Sequence, residues 1–373
     1  MGTTERAMAT KAAAGTDTRT LPGRYYYDPA LYALEQERIF SRSWVCAGRA
    51  DAIPAPSDYA LRDLGRESVL VLRDRQGQAR AFLNVCRHRG ARLCTAQQGK
   101  LNATVQCRYH AWTYALDGRL VGAPNMKDDP AFDPAAHGLV PVALHEWEGL
   151  IWLNLDDNPP PLSDQLGSLY ARFARYHVGE LAVGATITYD VRANWKLVVE
   201  NFNECYHCAL VHPELSAHVP DFKAGRVTGE DGGASLLGAG VESLTMTGKT
   251  ARPPLPGLTA QDLRSYYGDT LKPNVFLNLH PDYTVVHVLH PVAPDRTRIA
   301  CDWLFDPAVV AAPGFDASDA VEFWDLVNRQ DWEVCELAQQ GVTSRAYDEG
   351  GLYAPAERHI RRFNDWVLDA LER

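Results

Sequence analysis

The sequence predicts an α+β protein in two parts, an all-β module followed by a larger body with an antiparallel sheet flanked by helices. Three observations carry this. The chain has 373 residues, more than one hydrophobic core usually fills. From about residue 44 to 158 short apolar runs alternate with turn signals. After the proline punctuation DDNPPP the texture changes, and helical and strand patterns occur together.

Taken in order, residues 1–22 read as a flexible tail without an apolar core segment. Residues 23–43 read as a helical segment of the later body, with Asp28 and Pro29 as N-cap and first helical position. In the module 44–158, ESVLVLRD and ARAFLNVC flank RQGQ as a hairpin. QCRYHAWTYA and RLVGAP flank Leu116-Asp117-Gly118 as another, and GLIWLNLD is a strand. The body, 159–373, begins with the helical stretch LSDQLGSLYARFARYHVGE and the strand ATITYDVRANW. KLVVENFNECYHCALVHPEL is helix-like, and 223–262 reads as a mobile loop rich in Gly, Thr and Pro. NVFLNLHPDYTVVHVLHPVAPDRTRIACDWLF alternates as antiparallel strands. A long helix runs from near Asp316 or Ser318 to Gly341, and APAERHIRRFNDWVLDAL is the last helix.

A formal net charge of −10 argues against nucleic acid or an anionic membrane as partner. No apolar run approaches the roughly 20 residues of a membrane helix. Arg6 stands where a myristoylation signal needs Ser or Thr. Eight dilute cysteines with no export signal are expected to be reduced, in a cytoplasmic protein. No G-x-G-x-x-G follows a strand, so the chain shows no dinucleotide fingerprint of its own.

Two constellations carry chemistry. The first is Cys86-x-His88 and Cys107-x-x-His110, each at a hairpin tip. Structural zinc sites usually use C-x₂₋₄-C or H-x₃₋₅-H knuckles, whereas here each half mixes one Cys with one His. That pattern suits a Rieske [2Fe–2S] cluster, with Cys86 and Cys107 on one iron and His88 and His110 on the other. A zinc-binding module is the alternative. Cys94 fits neither pair and reads as a packed thiol. The second constellation is ENFNECYHCALVHP, with His207 and His212 five apart. On a regular helix they would diverge by about 140°. They reach one metal only where the helix bulges or ends between them. A carboxylate would complete a two-His-one-carboxylate triad for ferrous iron.

These two motifs together resemble the large (alpha) subunit of Rieske non-heme iron oxygenases, over nearly the whole chain from Trp44 onward. The resemblance implies that NRQDWEVCE carries the third ligand, Asp331, with Asp325, Glu333 and Glu336 as the other carboxylates on that helix. It implies a head-to-tail homotrimer in which Glu204 bridges a cluster histidine and an iron histidine of neighbouring subunits. Glu at that place is similar to the branch oxidising choline, carnitine and glycine betaine. Electrons would pass from NAD(P)H through a flavin or ferredoxin-type reductase to the cluster, and on to the iron and O2. Asn201 and Asn203 are expected to orient ligands. Phe202, Tyr206, Trp195, Phe276 and Tyr283 are candidate aromatic faces for a cationic substrate. Cys205 and Cys208 are expected to pack rather than ligate. The expected activity is therefore O2-dependent hydroxylation or N-demethylation of a betaine-like compound. An aromatic acid or ether is the rival substrate, and an electron carrier without oxygenase activity the rival class. Carboxylate and aromatics around the site would favour the cation, and apolar residues with an Arg the aromatic acid.

Overall fold

The computed structural model describes residues 18–227 and 233–373. Two compact units emerge: Ile39–Gly167, and the described residues up to Arg38 together with Ser168–Arg373.

The first unit is all-β. One sheet orders Val45–Arg49, Leu150–Asn154 and Ala143–Trp147; a second orders Ala79–Leu83, Glu67–Arg73, Asp58–Leu64 and Gln98–Lys100. The third orders Thr104–Gln106, Thr113–Ala115 and Leu120–Gly122. All pairings are antiparallel. The stretch QCRYHAWTYA is not one strand: a tight turn at 107–110 divides it. Gly118 adopts φ 89° in the Leu116-Asp117-Gly118 turn, and a Cβ there would stand 2.4 Å from the Phe82 ring. Phe82, Leu70, Leu72, Trp112 and Tyr114 form the core on which Cys86 and Cys107 rest.

In the second unit a six-stranded antiparallel sheet orders Ala182–Val191, Arg296–Phe305, Thr284–Ala293, Val275–Leu279, Ser265–Leu271 and Ser235–Leu236. Val275–Leu279 is buried at every position. The expected alternation is absent there because both faces are covered. Asp28 caps the helix Pro29–Glu35 by accepting from Ala30 N–H at 2.8 Å. A π-turn, Gln36–Phe40, follows. The helix Trp195–Phe202 is capped by Asn194, and Ser318–Gly341 buries Phe323, Trp324, Val327, Trp332 and Cys335. Asn194 N–H donates to Gln339 Oε1 at 2.8 Å, tying the two helices together. The last helix is Arg358–Glu372.

Part of the loop reading needs correction. Residues 228–232 lie outside the described residues, but 241–255 are irregular and anchored rather than mobile. Ser243, Leu244 and Thr245 are buried. Arg252 joins Asp282 at 3.0 Å and Asp319 at 2.6 Å, and Tyr283 Oη–H donates to Leu244 O at 2.5 Å. The composition concealed side-chain partners that lie far away in sequence. Among the described residues no helix is long and apolar enough to cross a membrane.

Candidate metal centres and active site

The two cysteine–histidine loops of the first unit are built alike. Cys86 N–H donates to Ala91 O and Cys107 N–H to Trp112 O, both at 2.8 Å. Gly90 N–H returns to Cys86 O and Ala111 N–H to Cys107 O, both at 3.0 Å. Closing such a loop needs a left-handed residue. Gly90 supplies it at φ 71°, and Ala111 at φ 56° despite its Cβ. The matched loops bring the His88 and His110 rings to 4.6 Å between centroids, while both cysteines stay buried as free thiols. Two buried sulfurs beside two imidazoles form a donor set that fits a Rieske cluster. Tyr114 Oη lies 3.3 Å from Cys86 Sγ and accepts from Arg87 N–H, so its proton faces the sulfur. Burial, with the Cys86 contact, raises its pKa and keeps it a donor. Cys94 is buried, and its backbone N–H is held by Asn84.

In the second unit the helix ends at Phe202, and a single turn, Cys208–Val211, separates His207 from His212. The interruption places their Nε2 atoms 3.2 Å apart. Asp331 Oδ1 lies 3.3 Å from His207 Nε2 and 2.8 Å from His212 Nε2. On the far side of each ring, His207 Nδ1 meets Glu204 Oε1, and His212 Nδ1 meets Gln330 Oε1 at 2.8 Å. Both acceptors hold the Nδ1–H, which leaves Nε2 to serve as a metal donor once its own proton is released. This donor set fits one ferrous ion with positions left open. Burial alone would lower the His207 pKa, but hydrogen bonds to Asp331 and Glu204 raise it to about 10. Burial opposes ionisation of Asp331, yet bonds from His207 and His212 hold it at about 2. Gln330 escaped the sequence reading, although it directly precedes Asp331.

The other carboxylates of the long helix are engaged elsewhere. Asp325 accepts from Tyr189 and Arg329, Glu336 pairs with Arg192 at 2.7 Å, and Glu333 is exposed.

An open cavity adjoins His207, His212 and Asp331. Asn201 and Phe202 line it, as do Phe222, Tyr266 and Trp324, which the sequence reading did not single out. The other aromatic candidates lie elsewhere. Tyr206 is 66% exposed, because the interrupted helix turns it outward. Phe276 is buried behind Phe202, stacked at 4.0 Å between centroids. Tyr283 is buried under the 241–255 segment, and Trp195 Nε1–H donates to Glu35. Asn203 Oδ1 accepts from Thr270 at 2.7 Å and lies outside the cavity lining.

Cys205 and Cys208 require a correction. The turn brings their Cα atoms to 4.9 Å and they form a disulfide, rather than the reduced packed pair expected from compartment alone. Neither sulfur is therefore a free thiolate, although Cys208 Sγ lies 3.9 Å from His207 Nε2.

Comparison with known proteins finds relatives of both units. The Rieske [2Fe-2S] domain family matches residues 43–142, and the ring hydroxylating alpha subunit (catalytic domain) family matches 178–373. The glycine betaine monooxygenase oxygenase subunit of Chromohalobacter salexigens is 34% identical, over 94% of this chain and 86% of that protein. The carnitine monooxygenase oxygenase subunit of Escherichia coli is 31% identical, over 88% and 85%. The crystal structure of the quaternary ammonium Rieske monooxygenase CntA with gamma-butyrobetaine has a TM-score of 0.76 at 26% identity, covering 98% of both chains. The chain thus belongs to the Rieske-type oxygenases, as an alpha subunit with a [2Fe–2S] domain and a non-heme iron catalytic domain.

Proposed function

We propose that this chain is the oxygenase component that hydroxylates an N-alkyl carbon of a small quaternary ammonium compound, using electrons from a separate NAD(P)H reductase. The lining of the cavity carries the reading. Phe202, Phe222, Tyr266 and Trp324 supply aromatic faces, Glu204 and Asp331 supply carboxylates, and none of the described lining residues is Lys or Arg. Aromatic faces attract a desolvated cation by roughly 2 kcal/mol or more. That lining therefore offers no Lys or Arg to form an ion pair with an aromatic acid. The names of the similar proteins, which act on glycine betaine and carnitine, point the same way.

His207, His212 and Asp331 would hold the iron, and Cys86, His88, Cys107 and His110 the cluster. Iron held by such a set supplies O2 activation when it is bound. The protein's part is positioning. Glu204 and Gln330 orient the two imidazoles, and Phe202, braced by Phe276, walls the space beside them. The exposed edge of His88 suits electron entry from a partner. We read the working form as a head-to-tail trimer in which Glu204 spans from His207 to a neighbouring copy's cluster histidine. Hydroxylating an N-methyl group gives a hemiaminal, which releases formaldehyde and the demethylated amine.

The test is product analysis by mass spectrometry with formaldehyde trapping, under O2 with NADH and a surrogate reductase. Glycine betaine, choline, carnitine and several aromatic acids form the panel. The expected result is demethylated amine plus formaldehyde, or C–N cleavage of carnitine. A hydroxylated aromatic product with no amine turnover would overturn the reading.

A further inference from the structure

A chain of five hydrogen bonds leads from the cavity wall across the sheet to the long helix and Asp325. Tyr266 Oη lies 2.5 Å from Asn278 Oδ1, and Asn278 Nδ2 lies 3.2 Å from His287 Nδ1. His287 Nε2 lies 3.0 Å from Asn328 Oδ1, and Asn328 Nδ2 lies 3.3 Å from Tyr189 Oη. Tyr189 Oη lies 2.8 Å from Asp325 Oδ1. Asn278, His287 and Asn328 are buried.

The direction of every link follows from the far end. A carboxylate only accepts, so Tyr189 donates to Asp325, which also accepts from Arg329 Nε–H at 2.9 Å. Tyr189 then accepts from the Asn328 amide N–H, and Asn328 Oδ1 accepts from His287 Nε2–H. A neutral imidazole with Nε2–H has an accepting Nδ1, which receives Asn278 N–H. Asn278 Oδ1 is left to accept the Tyr266 hydroxyl proton. A second contact sets the Asn278 amide the same way round, since its Nδ2 also reaches Val285 O at 3.5 Å. Burial lowers the His287 pKa to about 4, so the ring is neutral, as the chain requires.

The sequence arranges this through one glycine. Gly268 sits opposite Asn278 in the sheet. A Cβ on it would stand 2.4 Å from Tyr266 Oη, so only glycine lets the tyrosine reach over to the asparagine. Both Tyr266 and Gly268 line the cavity.

We propose that Asn278, His287 and Asn328 are positioning residues for substrate selection: they hold the Tyr266 proton inside the sheet. Tyr266 then offers the cavity its ring and an oxygen with no proton to give. Such a wall accepts a cation and gives nothing to a neutral or anionic acceptor. This inference rests on the quaternary ammonium reading and adds to it a reason for preferring charge over shape.

The test compares two ligands of one shape, glycine betaine and its uncharged-carbon isostere 3,3-dimethylbutanoate, by calorimetric Kd on the iron-loaded enzyme. Wild type is expected to favour glycine betaine. Asn278→Leu frees the hydroxyl to turn into the cavity, and the preference is expected to fall about tenfold, the scale of one reversed polar contact. In a Tyr266→Phe background, where no proton can turn, Asn278→Leu is expected to leave the preference unchanged. A merely structural role for Asn278 would lower it in both backgrounds. If Asn278→Leu does not fold, Asn278→Val removes the same acceptor oxygen and is read the same way. Preference retained in the single variant, or lost equally with Phe at 266, overturns the inference alone. Equal affinity of wild type for the two ligands overturns the quaternary ammonium reading beneath it.

Discussion

Gln330 acts on the iron site only through His212, whose Nδ1 it meets at 2.8 Å. Replacing it with Leu keeps the volume and removes the acceptor that fixes the ring. Loss of such an orienting partner typically weakens metal binding about 10–100-fold. Gln330→Leu is therefore expected to retain the cluster absorbance while losing catalytic-site iron on dialysis against a chelator, measured as iron per chain. Tyr114 works on the other centre. Its hydroxyl points at Cys86 Sγ, and a hydrogen bond to a ligand sulfur stabilises the more negative, reduced cluster. Tyr114→Phe is expected to lower the cluster potential, with the direction read from a redox titration. Neither role was legible in the sequence, because each depends on which atom faces another at hydrogen-bond distance. The candidate donors Cys86, His88, Cys107, His110, His207 and His212 stood out in the sequence because metal chemistry favours Cys and His at close spacing, whereas Asp331, far along the chain, was named only by the family resemblance.

The helix Trp195–Phe202 leads into the histidine turn, and a buried ion pair holds its first turn. Lys196 Nζ meets Glu35 Oε1 at 2.5 Å with both side chains fully buried, and Trp195 Nε1–H shares the same carboxylate. Burial lowers the Lys196 pKa, and Glu35 opposes that shift. Lys196→Met leaves a buried carboxylate unpaired and is expected to cost about 3–5 kcal/mol in denaturant unfolding. Substituting both partners with apolar residues should restore most of that. One turn later, burial raises the Glu200 pKa to about 7, although the Tyr26 hydroxyl donates to it. An acid whose pKa rises on folding holds more protons in the native state, so its penalty is absent near pH 4 and grows as pH climbs to 7. Glu200→Gln is accordingly expected to raise the midpoint of unfolding at pH 8 relative to wild type and leave it nearly unchanged at pH 4.5. The element types on this side followed from local patterns. The break after Phe202 was foreseeable only as a requirement that His207 and His212 face one metal. The anchoring of 241–255 was invisible, because Arg252 finds Asp282 and Asp319 far along the chain.

At the scale of the molecule, two folds carry separate tasks, and each set of ligands lies within one compact unit. The motif spacing conveyed that division, and the proline break at 158–161 marks its neighbourhood. The cavity was less readable. Phe222, Tyr266 and Trp324 come from three elements that meet only in the folded chain, whereas Tyr206, adjacent to His207 in sequence, faces outward. Proximity in sequence is a poor guide wherever a helix is interrupted. The claim on which the rest depends is that His207, His212 and Asp331 hold an iron distinct from the cluster. Iron and acid-labile sulfide, quantified per chain in wild type and Asp331→Ala, test it directly. The expected result is loss of one iron with both cluster irons and both sulfides retained. Unchanged iron in Asp331→Ala, or iron and sulfide lost together, would contradict it.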